Sequence, residues 1–207
     1  MTRPREDVRE RIILAAIESI EREGIDAVTT RGIARAAGVN GAAVNYYFGS
    51  KQRLVDAALR RTLRNAFSAT PDEEAGRGDN PRLVLRSLLS DFLAGSLRYP
   101  GLTMAHLYGP LVKHDYRGPV AREFRGFLER LGGLVEAALP AKERHRSRLV
   151  VTQVVSSVVA VGLLPGLFEE FVRIEFSNSK AREEYIGQML DRLIGRGSLE
   201  AGKDRPS

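Results

Sequence analysis

One short segment near the amino terminus limits the possible folds more than any other part of the chain. It runs from residue 29 to residue 51 and reads TTRGIARAAGVNGAAVNYYFGSK. Two stretches in this segment have apolar residues at helical spacing. Thr29 and Thr30 can cap the first helix with a hydroxyl, and Asn40 can cap the second. Gly38, between the runs, is free to take the positive φ at which a helix stops. The spacing predicts two helices of roughly two turns each joined by a tight turn, which is a helix-turn-helix.

In that motif the second helix enters the major groove of DNA and the first lies across the backbone. A protein surface that meets phosphates needs a local excess of positive charge. Residues 29–64 carry seven basic side chains against one acidic, Asp56, and the whole chain has a net charge of +6. A solvated, Arg-rich helix face would give the same count, so charge supports DNA binding only together with the turn and the caps. The basic residues are Arg31, Arg35, Lys51, Arg53, Arg60, Arg61 and Arg64.

Residues 8–64 resemble the amino-terminal domain of TetR-type transcriptional repressors. The resemblance implies an all-α protein in two domains: a three-helix DNA-binding domain at 1–64 and a larger helical ligand-binding and dimerisation domain at 65–207. The matching residues are RIILAAIESIEREG from Arg11 to Gly24, then Thr30, Ile33, Ala34, Ala37, Gly38, Val39, Phe48, Ser50, Lys51 and Leu54.

The periodicity of the same segment predicts its core without reference to any family. Val8, Ile12, Ala16 and Ile20 fall on one helical stripe, so the first helix is expected to be a scaffold. The helix-turn-helix should pack on it through a small shared core of Ile33, Ala34, Ala37, Val39, Val44 and Phe48.

Motif geometry and the family pattern together predict which residues contact DNA. The first motif helix is expected to hold phosphates and the first turn of the second to face base edges. Asn45 stands where the family usually has an aromatic residue, and contact with adenine or with a phosphate both remain open. The arm carrying Arg3 and Arg5 either enters a minor groove or is disordered. The predicted DNA-binding residues are Thr30, Arg31, Gly41, Ala42, Ala43, Asn45, Tyr46, Tyr47 and Lys51.

Beyond residue 64 the pattern remains helical. The β-branched run LVVTQVVSSVVAV, residues 149–161, is nearly apolar all round, and its length and flanks favour a buried helix over a strand. We expect that helix to extend from about Ala141 to Leu164, with Pro165 as a kink or an end. Its apolar character suits either the centre of a monomeric bundle or, as the resemblance implies, a homodimer in which the last two long helices of each copy form a four-helix bundle.

The resemblance also implies a pocket for a small, mostly apolar effector. Large apolar side chains with a few polar tips suit such a ligand, although they suit an ordinary core equally well. The candidate ligand-binding residues are Met104, Leu107, Tyr108, Leu111, Tyr116, Phe124, Phe127 and Phe168.

Composition argues against several other classes of protein. The chain has no Cys and three His, and it lacks a Gly-rich phosphate loop, so we expect no catalytic residues and no cofactor. His106 and His114 lie eight residues apart with Gly109-Pro110 between them, a poor spacing for a shared metal, and we expect no metal site. We also expect no membrane span and no signal peptide, and therefore a cytoplasmic protein.

The function predicted from the sequence is ligand-controlled repression by a homodimer that binds a palindromic operator in double-stranded DNA. A helical adaptor that uses the motif to bind protein, or an activator without a small-molecule effector, would be compatible with the same residues. The effector, the operator sequence, the regulated genes and the sign of regulation are not encoded in any pattern that we recognise.

Overall fold

The computed structural model describes residues 4–68 and 80–195, and all regular structure in those ranges is helical. Arg3, the side chain of Arg5, residues 69–79 and the segment after Gly195 lie outside the described residues. The α-helices are α1 (Pro4–Glu23), α2 (Thr30–Ala36), α3 (Gly41–Phe48), α4 (Lys51–Ser68), α5 (Pro81–Arg98), α6 (Pro100–Val112), α7 (Pro119–Ala138), α8 (Ser147–Leu163), α9 (Pro165–Val172) and α10 (Ser179–Ile194).

Local sequence signals account for where several helices begin and end. The hydroxyl of Thr29 accepts from Gly32 N at 3.0 Å, and Asn40 Oδ1 accepts from Ala43 N at 2.8 Å, so both motif helices are capped as predicted. Between them Gly38 has φ +65°, a left-handed conformation that favours glycine. Asn178 caps α10 in the same way.

The described residues form two compact units. The amino-terminal unit comprises residues 4–68 and 95–127, and the carboxy-terminal unit comprises residues 80–94 and 128–195. Residues 95–127, which include α6, therefore pack with the predicted DNA-binding helices. The functional boundary at residue 64 stays a prediction, because compactness alone does not show which residues carry each function.

The core of the amino-terminal unit contains most of the residues that the periodicity predicts, although Val8, Ala37 and Val39 are only half-buried, and it extends to α4 and α6. The scaffold stripe of α1 is buried from Ile12 to Ile20, and Ile33, Ala34, Val44 and Phe48 are buried against it. Leu102 and Ala105 of α6 join the same cluster. The core beneath the helix-turn-helix is therefore shared by α1 and α4, and α6 packs on those two helices.

The carboxy-terminal unit is built around α8, and the β-branched run is helical as predicted. The predicted end of this helix near Leu164 is confirmed, since α8 ends at Leu163, but the predicted start at Ala141 was wrong, because Ala141–Arg146 is a 3₁₀ helix. Pro165 ends that helix rather than kinking it, since Pro165 is the first residue of the separate helix α9.

Within Ala141–Leu163, a stretch of 18 residues has a mean hydropathy of 1.3, so this segment is long and apolar enough to cross a membrane by length and composition alone. A core helix passes the same test, and 44% of this stretch is buried inside the fold.

Candidate nucleic-acid interface

Helix α3 divides its side chains between the core and solvent. Val44 and Phe48 are buried, while Gly41, Ala42 and Asn45 are exposed, and so is Tyr46, with 70% of its surface accessible. Because buried and exposed residues alternate at helical spacing, one face of α3 is anchored and the opposite face is available to a partner.

The remaining predicted contact residues lie around that exposed face. Ala43 and Tyr47 are half-buried, and the ring of Tyr47 meets the ring of Tyr46 edge-on with centroids 5.1 Å apart. Thr30 is half-buried in the first turn of α2, followed by the exposed Arg31. Lys51 is exposed at the start of α4, where its Nζ lies 3.5 Å from the carbonyl oxygen of Asp26.

Not all of the basic residues counted in the sequence are available to phosphates. Arg60 Nε lies 3.0 Å from Glu123 Oε1, Arg64 Nε lies 3.8 Å from the same oxygen, and Arg61 pairs with Glu10. The acidic partners fall outside the window from 29 to 64, so the local count overstated the free charge. The exposed cations close to the motif are Arg31, Arg35, Lys51 and Arg53.

The charge count over residues 29–64 also left out Arg9, a cation on the scaffold helix α1. The guanidinium of Arg9 lies over the ring of Phe48, 5.3 Å from its centroid. This contact holds a positive charge against the end of α3, where it stabilises Phe48 through a cation–π interaction. No local pattern could have indicated it, because the two residues are far apart in the chain.

Helix α6 is fixed to α1 at its first turn. Glu21 Oε2 accepts a hydrogen bond from Leu102 N at 2.8 Å, which satisfies one of the free amides at the start of α6. Beside it, a Cβ at Gly101 would come within 2.9 Å of Glu21 Cα. The two backbones therefore approach more closely than any side chain at residue 101 would allow.

Further along α6, polar side chains bind α4 and the turn between α1 and α2. His106 Nε2 lies 2.8 Å from Thr62 Oγ1 and 3.2 Å from the carbonyl oxygen of Leu59. Burial lowers the pKa of His106 to about 4, and the hydrogen bond to Leu59 opposes that shift, so the ring is neutral at pH 7. Tyr108 hydrogen-bonds to Asp26, whose carboxylate raises the pKa of the phenol.

The eight candidate ligand-binding residues are not gathered at one place. Met104, Leu111 and Tyr116 are exposed, with 55%, 57% and 59% of their surfaces accessible. Leu107, Tyr108 and Phe124 are half-buried and Phe127 is buried; all of these lie in the amino-terminal unit. Phe168 lies in the carboxy-terminal unit.

Phe168 lines a cavity of about 630 Å³, which we call the carboxy-terminal cavity. Its walls come from α8, α9 and α10 and are mostly apolar. The hydroxyl of Tyr185 hydrogen-bonds to Ser157, while burial raises the pKa of Tyr185. None of the other candidate ligand-binding residues lines this cavity. Its lining residues are Ser156, Ser157, Ala160, Val161, Phe168, Val172, Ile174, Phe176, Ala181, Glu184, Tyr185 and Gln188.

Comparison with known proteins shows which family the amino-terminal segment resembles. Residues 12–58 match the family model of bacterial regulatory proteins of the tetR family. The HTH-type transcriptional regulator BetI of Burkholderia thailandensis is 34% identical over 86 residues, which are 42% of this chain and 44% of that protein. The chain thus spans less than half the length of this curated relative.

Solved structures of low sequence identity share the fold over nearly the whole chain. The fatty acid degradation regulator FadR from Bacillus halodurans superposes with a TM-score of 0.67 at 15% identity, covering 97% of this chain and 98% of that one. A transcriptional regulator FadR from Bacillus subtilis, solved in complex with stearoyl-CoA, gives 0.62 at 14% identity, covering 91% and 99%. These relatives and neighbours are regulators and not enzymes. Residues 12–58 therefore carry a domain that matches the tetR family of bacterial regulatory proteins, and the chain shares its fold with the neighbours described above.

Proposed function

We propose that this chain is a ligand-responsive transcriptional repressor that acts in the cytoplasm. It binds a palindromic operator as a homodimer, and a small, mostly apolar effector releases it. The observation that supports this most strongly is α3, a capped helix whose inner face is anchored in the core and whose outer face exposes Gly41, Ala42, Asn45 and Tyr46. A helix of that kind fits the major groove of DNA.

The contact residues divide by chemistry. Thr30, Arg31, Tyr47 and Lys51 hold phosphates, while Tyr46 and Asn45 lie at the edge of the groove. Gly41, Ala42 and Ala43 carry no side-chain hydrogen-bonding groups, so they offer only close backbone approach and apolar contact with thymine methyls. Specificity therefore rests largely on the shape of the duplex and on Asn45.

Dimerisation follows from the demands of DNA recognition. One helix-turn-helix reads a single half-site, and a protein that reads only one half-site binds it too weakly to distinguish it from the large excess of non-specific DNA. Two copies related by a two-fold axis read two half-sites about one helical turn apart. The long helices α8 and α10 of each copy would supply a four-helix bundle that sets this spacing.

The effector acts through α6. Contacts with Glu21, Thr62 and Asp26 join α6 to α1, to α4 and to the turn between α1 and α2, which hold the helix-turn-helix in place. A ligand that packs among the apolar side chains of α6 and α7 and displaces α6 would move those helices with it. Repression is then lost in proportion to the ligand's preference for the displaced form. The B. subtilis neighbour, solved with stearoyl-CoA, is a regulator of this fold with a bound small molecule.

A gel shift across a salt series, using the promoter beside the chain's own gene, tests the proposal. If phosphates are neutralised, affinity should fall steeply as salt rises. Arg31→Ala and Lys51→Ala should each weaken binding to all sequences and reduce the salt slope by about 1, since each removes one cation that neutralises a phosphate. Lys142→Ala, which removes an exposed cation from the 3₁₀ helix, is the matched control and should change neither quantity.

Two results would refute the proposal. One is DNA binding that Arg31→Ala and Lys51→Ala leave unchanged. The other is an absence of DNA binding together with capture of a protein through α3, which would favour the adaptor. A reporter gene under the same promoter distinguishes a repressor from an activator, since deletion of a repressor raises expression of the reporter and deletion of an activator lowers it.

A further inference from the structure

Helix α9 carries apolar side chains that its own unit does not cover. Leu167 and Phe171 lie four residues apart on α9, and Leu164 immediately precedes the helix; we call these three residues the α9 stripe. Their surfaces are 54%, 64% and 85% exposed. Large apolar side chains grouped in this way mark a surface that binds a partner.

The α9 stripe continues directly into the carboxy-terminal cavity. Phe168 and Val172 lie on the adjacent side of the same helix, and both line the cavity. One face of one protomer therefore presents a protruding aromatic ring beside an apolar hollow. A two-fold interface requires this combination, because the same patch must supply both the knob and the hole.

Charge on the same face is also self-complementary. Glu184 is the one charged side chain among the described residues that line the cavity, and its carboxylate accepts a hydrogen bond from the amide of Gln188 at 3.3 Å rather than pairing with a cation in those ranges. Arg173 follows the α9 stripe, is exposed, and has no ion-pair partner among the described residues. A second copy would bring a cation and an apolar ring to a hollow that holds an anion and an apolar wall.

We propose that the occupant of the carboxy-terminal cavity is a second copy of this chain. The partner's Phe171 enters the cavity, the partner's Arg173 lies beside Glu184, and the two-fold axis repeats both contacts. The proposal rests on the homodimer of the proposed function and adds the segment and the residues that make it. Helix α9 then acts as a reciprocal clasp between the two copies.

Mixing two charge-reversed variants tests the clasp. Arg173→Glu places like charges at both contacts of its own dimer, as does Glu184→Arg, so each variant alone should dimerise about tenfold more weakly. A mixture of the two restores opposite charges at both contacts of the heterodimer. Sedimentation velocity across a concentration series should therefore show the mixed dimer forming where neither variant alone does. Failure of the mixture to recover would overturn the proposal, since only an interaction between copies can be rescued by mixing.

Phe171→Ser tests the apolar half of the contact. The side chain is exposed in one copy, so the variant should keep the native helical circular dichroism while its dimer weakens roughly a hundredfold. Leu83→Ser, at a position 53% exposed on α5 and outside the cavity lining, is the matched control and should leave the dimer unchanged.

A folded Phe171→Ser variant that dimerises as the native chain does would overturn the clasp. So would a native chain that is monomeric throughout the series, or one whose cavity binds a small molecule while α9 stays exposed to solvent. Gel shifts on the same samples keep the two proposals apart. A dimer that resists Phe171→Ser but still binds the promoter refutes the clasp alone, whereas a dimer that depends on Phe171 but binds no DNA refutes the proposed function alone.

Discussion

Replacement of Gly101 by alanine should loosen the contact between α1 and α6. The added Cβ would lie 2.9 Å from Glu21 Cα and 3.0 Å from the Glu21 carbonyl carbon, well inside van der Waals contact. Both neighbours are backbone atoms, so no side-chain rotation can relieve the overlap. The two helices must separate, and the hydrogen bond from Leu102 N to Glu21 must lengthen with them.

The size of the effect follows from the cost of overpacking. Inserting a methyl group into a well-packed contact typically destabilises a protein by about 1–3 kcal/mol. Alanine is the better helix former, but Gly101 lies in the first turn of α6, where that gain is small. For a chain of this size each kcal/mol moves the melting temperature by about 2–4 °C, so a fall of roughly 2–12 °C is expected.

Thermal unfolding followed by circular dichroism measures this effect directly, and Gly126→Ala provides its matched control. Gly126 lies inside α7, in the same compact unit, and a Cβ there would meet nothing within 4 Å. That variant should gain about 0.5–1 kcal/mol from helix propensity alone. A melting temperature that rises in Gly101→Ala as it does in Gly126→Ala would refute the close contact between α1 and α6.

Two further substitutions test the caps and the buried histidine. Asn40→Ala should lower the free energy of unfolding, measured in urea, by about 1 kcal/mol because it removes the cap of α3. Asn40→Asp keeps the cap but places a negative charge near phosphates, so it should keep the stability and weaken DNA binding. Equal stability of the two variants would contradict the capping role. His106 titrates at about 4 when folded and near 6.5 when unfolded, so the unfolded state binds its proton first and stability falls as pH drops through that range. In His106→Gln the loss in unfolding free energy between pH 7 and pH 4.5 should be smaller by about 2–3 kcal/mol, and an unchanged pH dependence would show that the ring is not held neutral.

Local features of this fold were predictable because they depend on residues close in the chain. The cap at Asn40, the left-handed Gly38 and the helical state of the β-branched run all follow from spacing and residue type. Pro165 was harder to interpret, since a proline after an apolar helix permits a kink as readily as an end. In the structure Leu164 leaves the helical conformation, with φ −127° and ψ 48°, and a new helix begins at Pro165.

The surroundings of the candidate site were not predictable in the same way. The pairing of Arg60 with Glu123 spans 63 residues, and the contact between Thr62 and His106 spans 44. Such partners carry no mutual signature in a single sequence. For the same reason Tyr108, chosen as a ligand-binding candidate for its aromatic ring, could not be matched in advance with Asp26.

Methylation protection on the promoter beside the chain's own gene tests the central claim most directly. The reagent reports on N7 of guanine, which lies in the major groove. If two copies each place α3 in that groove, two protected patches should appear about 10 base pairs apart, centre to centre, related by the symmetry of the operator. Substituting Asn40 with Asp should remove both patches together. A single patch, or protein bound to the promoter with every guanine N7 still reactive, would contradict the account.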